Sequence, residues 1–500
     1  MRKLLYVLAT FFLISMLSCE KEKEYVPTDS IILNVDKVNL LVDEQFQLTA
    51  TINPEDATER NIMWSSEDNT IATVSNSGLL TAVGYGATTI VAKIEDIKIT
   101  CQVKVLNSCD DGGITLQVGN IIDDSPIFHF EGGDDSVSIS GPLEWISFVR
   151  NGADWCSIQK NGNSLIVSTS ENNSSKIRET QVIVASGHQK KVITIYQAPQ
   201  VRKIKPYPSR RVRMQEKVKW SDRSMSEIAV FMPFPETCEY QTINNLVYNS
   251  PGEVFETEER NARYVLFRKF PKERTGSFTC TLEFTVTSNL VEVDFDKITR
   301  YFDYDKTSTL YSRYTSTLTI DGKKYIDPEN PVLSEAANKL WEQNDGDILN
   351  YCKSCYDYVA KHFEYMYGGN GVINDIIERG GGDCGNITNL CLSMIRHKGI
   401  PCRALVMQKP KNDNHVRMEF YLAGYGWIPL DPTYHMNGDN YFGRFTDNYI
   451  VMNRDCGLTC NVEGWNWTPQ FVILQGCNWY WWCNSDGGDV LGEYNITTIK

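Results

Sequence analysis

At 500 residues the chain exceeds one hydrophobic core, and at roughly 150 residues per domain it should divide into about three or four. Hydrophobic residues at 42% and charged residues at 22% are ordinary for folded material. A net charge of -14 excludes nucleic acid as an expected partner, since phosphate binding needs clustered Lys and Arg, and the basic run at 203–213 reads as a short connection.

Arg2 and Lys3 precede an apolar run over residues 4–17, which ends in Leu17-Ser18-Cys19. A basic start, a short apolar stretch and small residues at its end make residues 1–18 a secretory signal, too short for an ordinary membrane span. The placement of Cys19 resembles the bacterial lipoprotein signal, which implies that Cys19 becomes the lipidated first residue of the mature protein. The alternative is a secreted protein in which that cysteine is incidental. Residues 19–30 read as a polar tether. An acidic run here accompanies surface export in Bacteroidota-type lipoproteins, so the resemblance implies an outer-membrane protein at the cell surface, touching the membrane by its lipid anchor only. No later segment is long and apolar enough to cross a membrane.

Residues 31–107 show short apolar runs separated by polar turns, the pattern of an all-β sandwich. Gln45-Phe46-Gln47-Leu48, Met63-Trp64-Ser65-Ser66, Ile71-Ala72-Thr73-Val74 and Gly78-Leu79-Leu80-Thr81 resemble the bacterial Ig-like group 2 domain, which implies a spacer or adhesion module. After a break at 109–113, residues 113–200 form a second β unit. Trp145, Trp155, Arg178 and the ending Ile193-Thr194-Ile195-Tyr196-Gln197 resemble a BACON domain, which implies attachment to glycan or mucin. A further Ig-like spacer with its tryptophans in the core is the other reading. Residues 201–324 continue as strands, with period-two alternation clearest at 228–235 and 278–286.

The pattern then turns helical, at 334–341 and 347–363. Helices after a run of strands suggest an α+β catalytic domain over residues 325–500, its C-terminal part rich in Cys and Trp. Within it, Gly380-Gly381-Gly382-Asp383-Cys384 leads into an apolar stripe of Ile387, Leu390, Cys391, Met394 and Ile395. Asp383 is suited to cap a helix that starts at Cys384, with Lys398 and Gly399 to end it. Free N–H groups and the positive dipole end stabilise a thiolate at that position, and the glycines are expected to let backbone pass close to a substrate.

A nucleophilic cysteine needs a base, and the base an orienting group. Of six histidines, His415 opens an alternating strand on which His415, Arg417, Glu419 and Tyr421 share a face. A hairpin then brings the strand containing Trp427 and Asp431 back alongside. A three-residue Gly424-Tyr425-Gly426 loop would set Asp431 opposite Glu419 on the His415 face; a four-residue loop would turn it to the other face.

These residues resemble the transglutaminase-like superfamily, related to papain, over about 336–433. The Gly382-Asp383-Cys384 helix start, the following Gly399-Ile400-Pro401-Cys402-Arg403-Ala404, and the histidine and Asp431-Pro432-Thr433 strands carry the likeness. The resemblance implies Cys384 as nucleophile, His415 as general base and acid, and Asp431 as orienting carboxylate, acting on protein or peptide amides without cofactor or metal. The chain departs at Arg417, where the family often has Trp, which bears on substrate choice and on how the histidine is shielded. Hydrolysis is expected over transamidation; a non-enzymatic surface adhesin is the reading from another class. Trp427, Arg417, Trp479 and Trp481 are candidate substrate contacts, the last two set against a purely structural aromatic core. Cys456, Cys460, Cys477 and Cys483 are expected as two disulfides, with a zinc site as the alternative. Cys352-x-x-Cys355 lies on a helix with no preceding strand, which argues against a redox pair.

Overall fold

The structure, a computed structural model, describes residues 25–107, 115–119, 127–142, 144–151, 154–250, 253–259, 262–460, 462–483 and 488–499. The expected signal, Cys19, the first residues of the tether and the 109–113 break lie outside the described residues. By internal contacts the chain divides into two units, one taking the chain up to Gly119 with Ser136–Val167 and Thr180–Ile193, the other the remainder.

In the first unit, alternate residues of Lys37–Leu41, Gly86–Ile94 and Ile97–Leu106 point into a core of Val38, Leu40, Leu80, Ile90, Cys101 and Val103. These strands and Met63–Ser66 make one sheet, in which Lys37–Leu41 runs parallel to Ile97–Leu106. Gln45–Gln47, Leu79–Ala82 and Ala72–Val74 make the second layer. Trp145 is buried, with the Lys160 ammonium 4.0 Å from the centre of its ring, so this tryptophan packs rather than presents a face.

The second unit holds a β-sandwich and the helical domain. Strand β1 (Arg210–Ser221) and strand β2 (Met225–Pro233) lie in opposite sheets. Beside β1 runs the long strand β3 (Gly276–Val293). The helical domain begins with α1 (Pro331–Gln343) and α2 (Ile348–His362), capped by Asn330 and Asp347. A short strand β4 (Glu364–Tyr365) leads to helix α3 (Ile373–Arg379) and the two-residue strand β5 (Gly381–Gly382). Helix α4 (Cys384–His397) follows, then β6 (Cys402–Lys409), β7 (Asp413–Leu422), β8 (Gly426–Leu430) and the short helix α5 (Pro432–Met436). Strand β9 (Ile450–Asn453) completes a sheet of order β8-β7-β6-β9.

Helix α4 is the centre of this domain, buried from Gly385 to Arg396. Its Ile387, Leu390, Met394 and Ile395 join Tyr351 and Tyr356 of α2 and Val406, Met418 and Phe420 of the sheet in one core. At roughly 2 kcal/mol for each buried aliphatic side chain, this packing outweighs the ~1 kcal/mol of a cap in holding the helix. The cap instead sets where the helix begins, and so where Cys384 stands.

The last two strands do not extend the helical domain. Strand β10 (Asn478–Cys483) pairs with β2, and strand β11 (Asp489–Ile499) pairs with β1 along its whole length, from Ser221↔Asp489 to Arg211↔Ile499. The expected division at 325 thus separates strands that belong to the same sheets, because a sheet edge at β1 and β2 is filled by residues far along the chain. None of the described cysteines, the four C-terminal ones included, is in a disulfide. Cys456 lies in the α4 core and Cys477 and Cys483 against the sandwich core at the two ends of β10, while Cys460 lies in a third cluster with Phe231 and Phe471. Dispersed among separate cores, they are not placed as the expected pair of disulfides. No group of three or more His, Cys, Asp or Glu among the described residues is arranged to hold a metal.

Candidate active site

Gly380 ends α3 in the left-handed conformation, at φ 79°. Gly381 and Gly382 then pair in parallel with Glu364 and Tyr365. A Cβ on Gly381 would lie 2.0 Å from the Glu364 carbonyl oxygen, and one on Gly382 would lie 2.5 Å from the Asn386 Cβ. The glycines are therefore buried, and they admit β4 and Asn386 rather than a substrate. Asp383 follows as N-cap, its carboxylate accepting from Asn386 N–H at 3.1 Å, and Cys384 is the first helical residue, half-buried.

His415 lies on β7 opposite Met407 of β6, close enough to Cys384 for the thiol to favour its charged form. Its Nε2–H donates to Asp431 Oδ2 at 2.7 Å, since a carboxylate can only accept. The other ring nitrogen, Nδ1, is then the one left for the thiol. Asp431 Oδ1 accepts from the backbone N–H groups of Thr433 and Tyr434, both at 3.1 Å, which makes Asp431 the N-cap of α5 as well. Each carboxylate oxygen has its own task.

The hairpin reaches this arrangement by a register two residues from the one a Gly424-Tyr425-Gly426 loop would give. Its three-residue loop is Ala423-Gly424-Tyr425, with Leu422 paired to Gly426 and Met418 to Leu430. Gly424 takes the positive φ, 80°. Continuing that ladder sets Asp431 opposite Arg417 instead of Glu419. The parity is unchanged, so Asp431 keeps the His415 face.

That shift explains Arg417. Its side chain is 0% exposed, with Nε 3.2 Å from Asp431 Oδ2 and Nη2 2.6 Å from Asp447 Oδ2. No substrate can touch it, so its expected role as a substrate contact gives way to that of a buried counter-charge. Burial works against a charged Asp431, but the attraction of His415 and Arg417 prevails and holds the carboxyl below its usual range. Burial likewise works against the imidazolium, yet the charge and hydrogen bond of Asp431, with the neighbouring Cys384, raise His415 to about 9, with Arg417 opposing. The imidazole is shielded by two rings: Tyr434 stacks on it with centroids 4.7 Å apart, and Tyr449 lies tilted at 5.6 Å.

The other expected contacts lie elsewhere. Trp427 is buried at the far end of the hairpin, its ring 3.9 Å from the Arg403 guanidinium and packed edge-on against Tyr314 and Tyr421. Trp479 and Trp481 are on β10, opposite Val230 and Ile228. Trp479 packs on the sandwich core, and Trp481 lies 4.7 Å beneath the Arg223 guanidinium. On the opposite face Tyr480 and Trp482 join Trp465 and Phe231. The aromatic tail packs on the sandwich, with Trp481 left 36% exposed. What reaches the site from it is Ile473, whose Cδ1 lies 3.2 Å from the position of a Cβ on Gly385, and Gln475, which donates to the His415 carbonyl at 2.8 Å. Neither carries a sequence signal, nor do Asp447 and Tyr449; Tyr434 could have been found from the Asp-Pro-Thr helix start, which places it in the first turn.

Comparison with known proteins agrees with this layout. Residues 335–432 match the model of the transglutaminase-like superfamily, 27–99 that of the bacterial Ig-like domain (group 2), and 144–198 that of BACON, a candidate binding domain. An alpha-L-arabinofuranosidase of Bifidobacterium longum is 40% identical over 60 residues, 12% of this chain and 6% of that protein. An uncharacterised protein of Clostridium acetobutylicum is 35% identical over 78 residues, 15% of this chain and 19% of its own. The chain thus spans under a fifth of the length of these curated relatives. A candidate cysteine protease from Cytophaga hutchinsonii, known from a crystal structure, is 14% identical with a TM-score of 0.41, covering 60% of this chain and 93% of that one. In chain order, then, the protein carries a group 2 bacterial Ig-like domain, a BACON domain and a transglutaminase-like domain.

Proposed function

We propose that the protein cleaves amide bonds in proteins or peptides through Cys384, His415 and Asp431. The observation that carries this is a buried imidazole bonded to a buried carboxylate and set against a thiol at a helix start. With His415 raised to about 9, the ring is cationic at neutral pH and stands ready to support the thiolate that attack by Cys384 requires. The thiolate attacks the carbonyl carbon, the C–N bond breaks, and His415 gives its proton to the departing amine, leaving a thioester. Water, deprotonated by His415, then attacks the thioester, releasing the acid and restoring the thiol. The free N–H of Cys384 at the first helical position is a candidate donor to the oxyanion. Asp431 orients the ring, and Arg417 with Asp447 positions Asp431.

A primary amine in place of water would make the same thioester a transamidation intermediate. Supplying a labelled amine alongside a peptide amide distinguishes the two by product. Anchorage at the cell surface through lipidated Cys19, and glycan or mucin binding through the BACON domain, belong to the same proposal. The test of the chemistry is labelling with a thiol-reactive amide probe, native protein against Cys384→Ala. Label should be confined to Cys384 and lost in the variant; equal labelling of both would end the assignment.

A further inference from the structure

Beside Cys384 the chain exposes two aromatic rings. Tyr365 is 43% exposed and Tyr367 87% exposed, and they meet edge to face with centroids 5.5 Å apart. Their backbone is held, not loose. Tyr365 pairs with Gly382, and Met366 N–H donates to the Gly382 carbonyl at 2.9 Å, two residues before the thiol. Arg379 donates to the carbonyls of Gly368 and Tyr367 at 2.6 and 2.9 Å, which commits its guanidinium to the loop. Asn386, in the first turn of α4, donates to Gly368 at 3.3 Å. The loop is thereby fastened to the same helical turn that presents Cys384. Burial, followed by the acidic neighbours Cys384, Tyr367, Asp383 and Tyr434, pushes the Tyr365 hydroxyl up to about 12, so its ring lies among groups that are anionic when ionised. Ile473 also packs against the first turn of α4, at Gly385.

We propose that Tyr365, Tyr367 and Ile473 form an apolar subsite that grips a hydrophobic side chain of a peptide acyl donor, next to the amide that Cys384 attacks. This rests on the assignment of Cys384 as the acyl-accepting thiol. Rings pre-positioned by backbone pairing offer large contact area at small entropic cost, and their value is realised only when a ligand covers them. An acidic side chain there would be desolvated among acidic groups, whereas an apolar one gains by leaving water.

The experiment uses the full chain and a peptide-amide series in which the residue flanking the scissile bond, on its acyl side and then its amine side, is Leu, Phe, Gly or Glu. On one of the two sides kcat/KM should favour Leu or Phe over Gly and Glu by about tenfold or more. Tyr367→Ala, at a position exposed enough to leave folding untouched, and Ile473→Ala should collapse that ratio. Cys384 alkylation by iodoacetamide, followed in parallel, reports the nucleophile whatever the acyl donor. Turnover with no apolar preference, or a preference unmoved by both variants, overturns the subsite alone. Absence of turnover on every peptide overturns the amide-cleaving function, and the subsite with it.

Discussion

Two buried carboxylates lie along one face of the β7–β8 hairpin, and each faces an arginine. Asp431 meets Arg417 at 3.2 Å; Glu419 meets Arg403 at 2.6 Å, directly opposite it on β6. The resemblance ends there. Burial, helped by the charge of Glu239, pushes the Glu419 carboxyl up despite Arg403, and the Tyr240 hydroxyl closes the pair off. Asp431 is held below its usual range because it also faces an imidazole. A buried carboxylate–arginine pair is thus no site in itself. The difference is made by a third group, an imidazole raised to about 9 that stands beside a half-buried thiol.

The comparison breaks most readily through its two carboxylates. Asp431→Asn should lower turnover roughly 10³- to 10⁴-fold while circular dichroism stays native, since the imidazole loses its orientation and charge support. Glu419→Gln should keep turnover within a few-fold but unfold at lower temperature, Arg403 being left without its counter-charge at a cost of about 3–5 kcal/mol. Equal losses of turnover in the two would show that both pairs serve catalysis.

The arginines give the next contrast. Arg403→Met and Arg417→Met should each destabilise the fold by about 3–5 kcal/mol, one partner of a buried pair being removed. Only Arg417→Met should also move the alkaline limb of the pH–rate profile. The charge on His415 is opposed by burial and Arg417 and favoured by Asp431 and Cys384, so deleting the guanidinium shifts that limb to higher pH. A limb that stays in place would reduce Arg417 to a packing residue.

A third measurement sharpens the role of protonation. His415 is raised from 6.5 to about 9, so its pairing stabilises the fold fully below pH 6.5 and is lost as pH rises through about 9. The stability gap between the native protein and His415→Ala should therefore narrow from about pH 6 to about pH 10 in denaturant titrations. The smallest effect is expected at Tyr434→Leu. Losing a stacked ring worth about 0.5–1.5 kcal/mol should slow turnover about two- to tenfold. Tyr240→Phe, at the sealed pair, should leave turnover unchanged.

What the sequence made legible was local. A capped, one-sided apolar stripe located α4 and Cys384 to the residue, because capping and amphipathic spacing act within a few positions. The alternation around His415 gave the face, and parity kept Asp431 on it even though the loop lies one residue earlier than expected. What escaped was set by partners distant in sequence. Nothing near Arg417 announces Asp447, thirty residues on. The tryptophans of β10 read as core with a cleft as the alternative, until pairing with β2 set Trp479 on the sandwich core and Trp482 beside the Phe231 cluster. The glycines before Cys384 were misread for the same reason, since the backbone they accommodate, at Glu364, belongs to another strand.

Asp431 has a consequence in time. One of its oxygens holds His415 and the other the first amides of α5, a helix of five residues. So short a helix frays on its own, and whenever its first turn opens the carboxylate keeps Arg417 but loses the two amides that fix its rotation toward the ring. The lifetime of a correctly aimed histidine is then the lifetime of that turn, and hydrogen exchange at the amides of Thr433 and Tyr434 is a clock for the fraction of molecules competent at any instant.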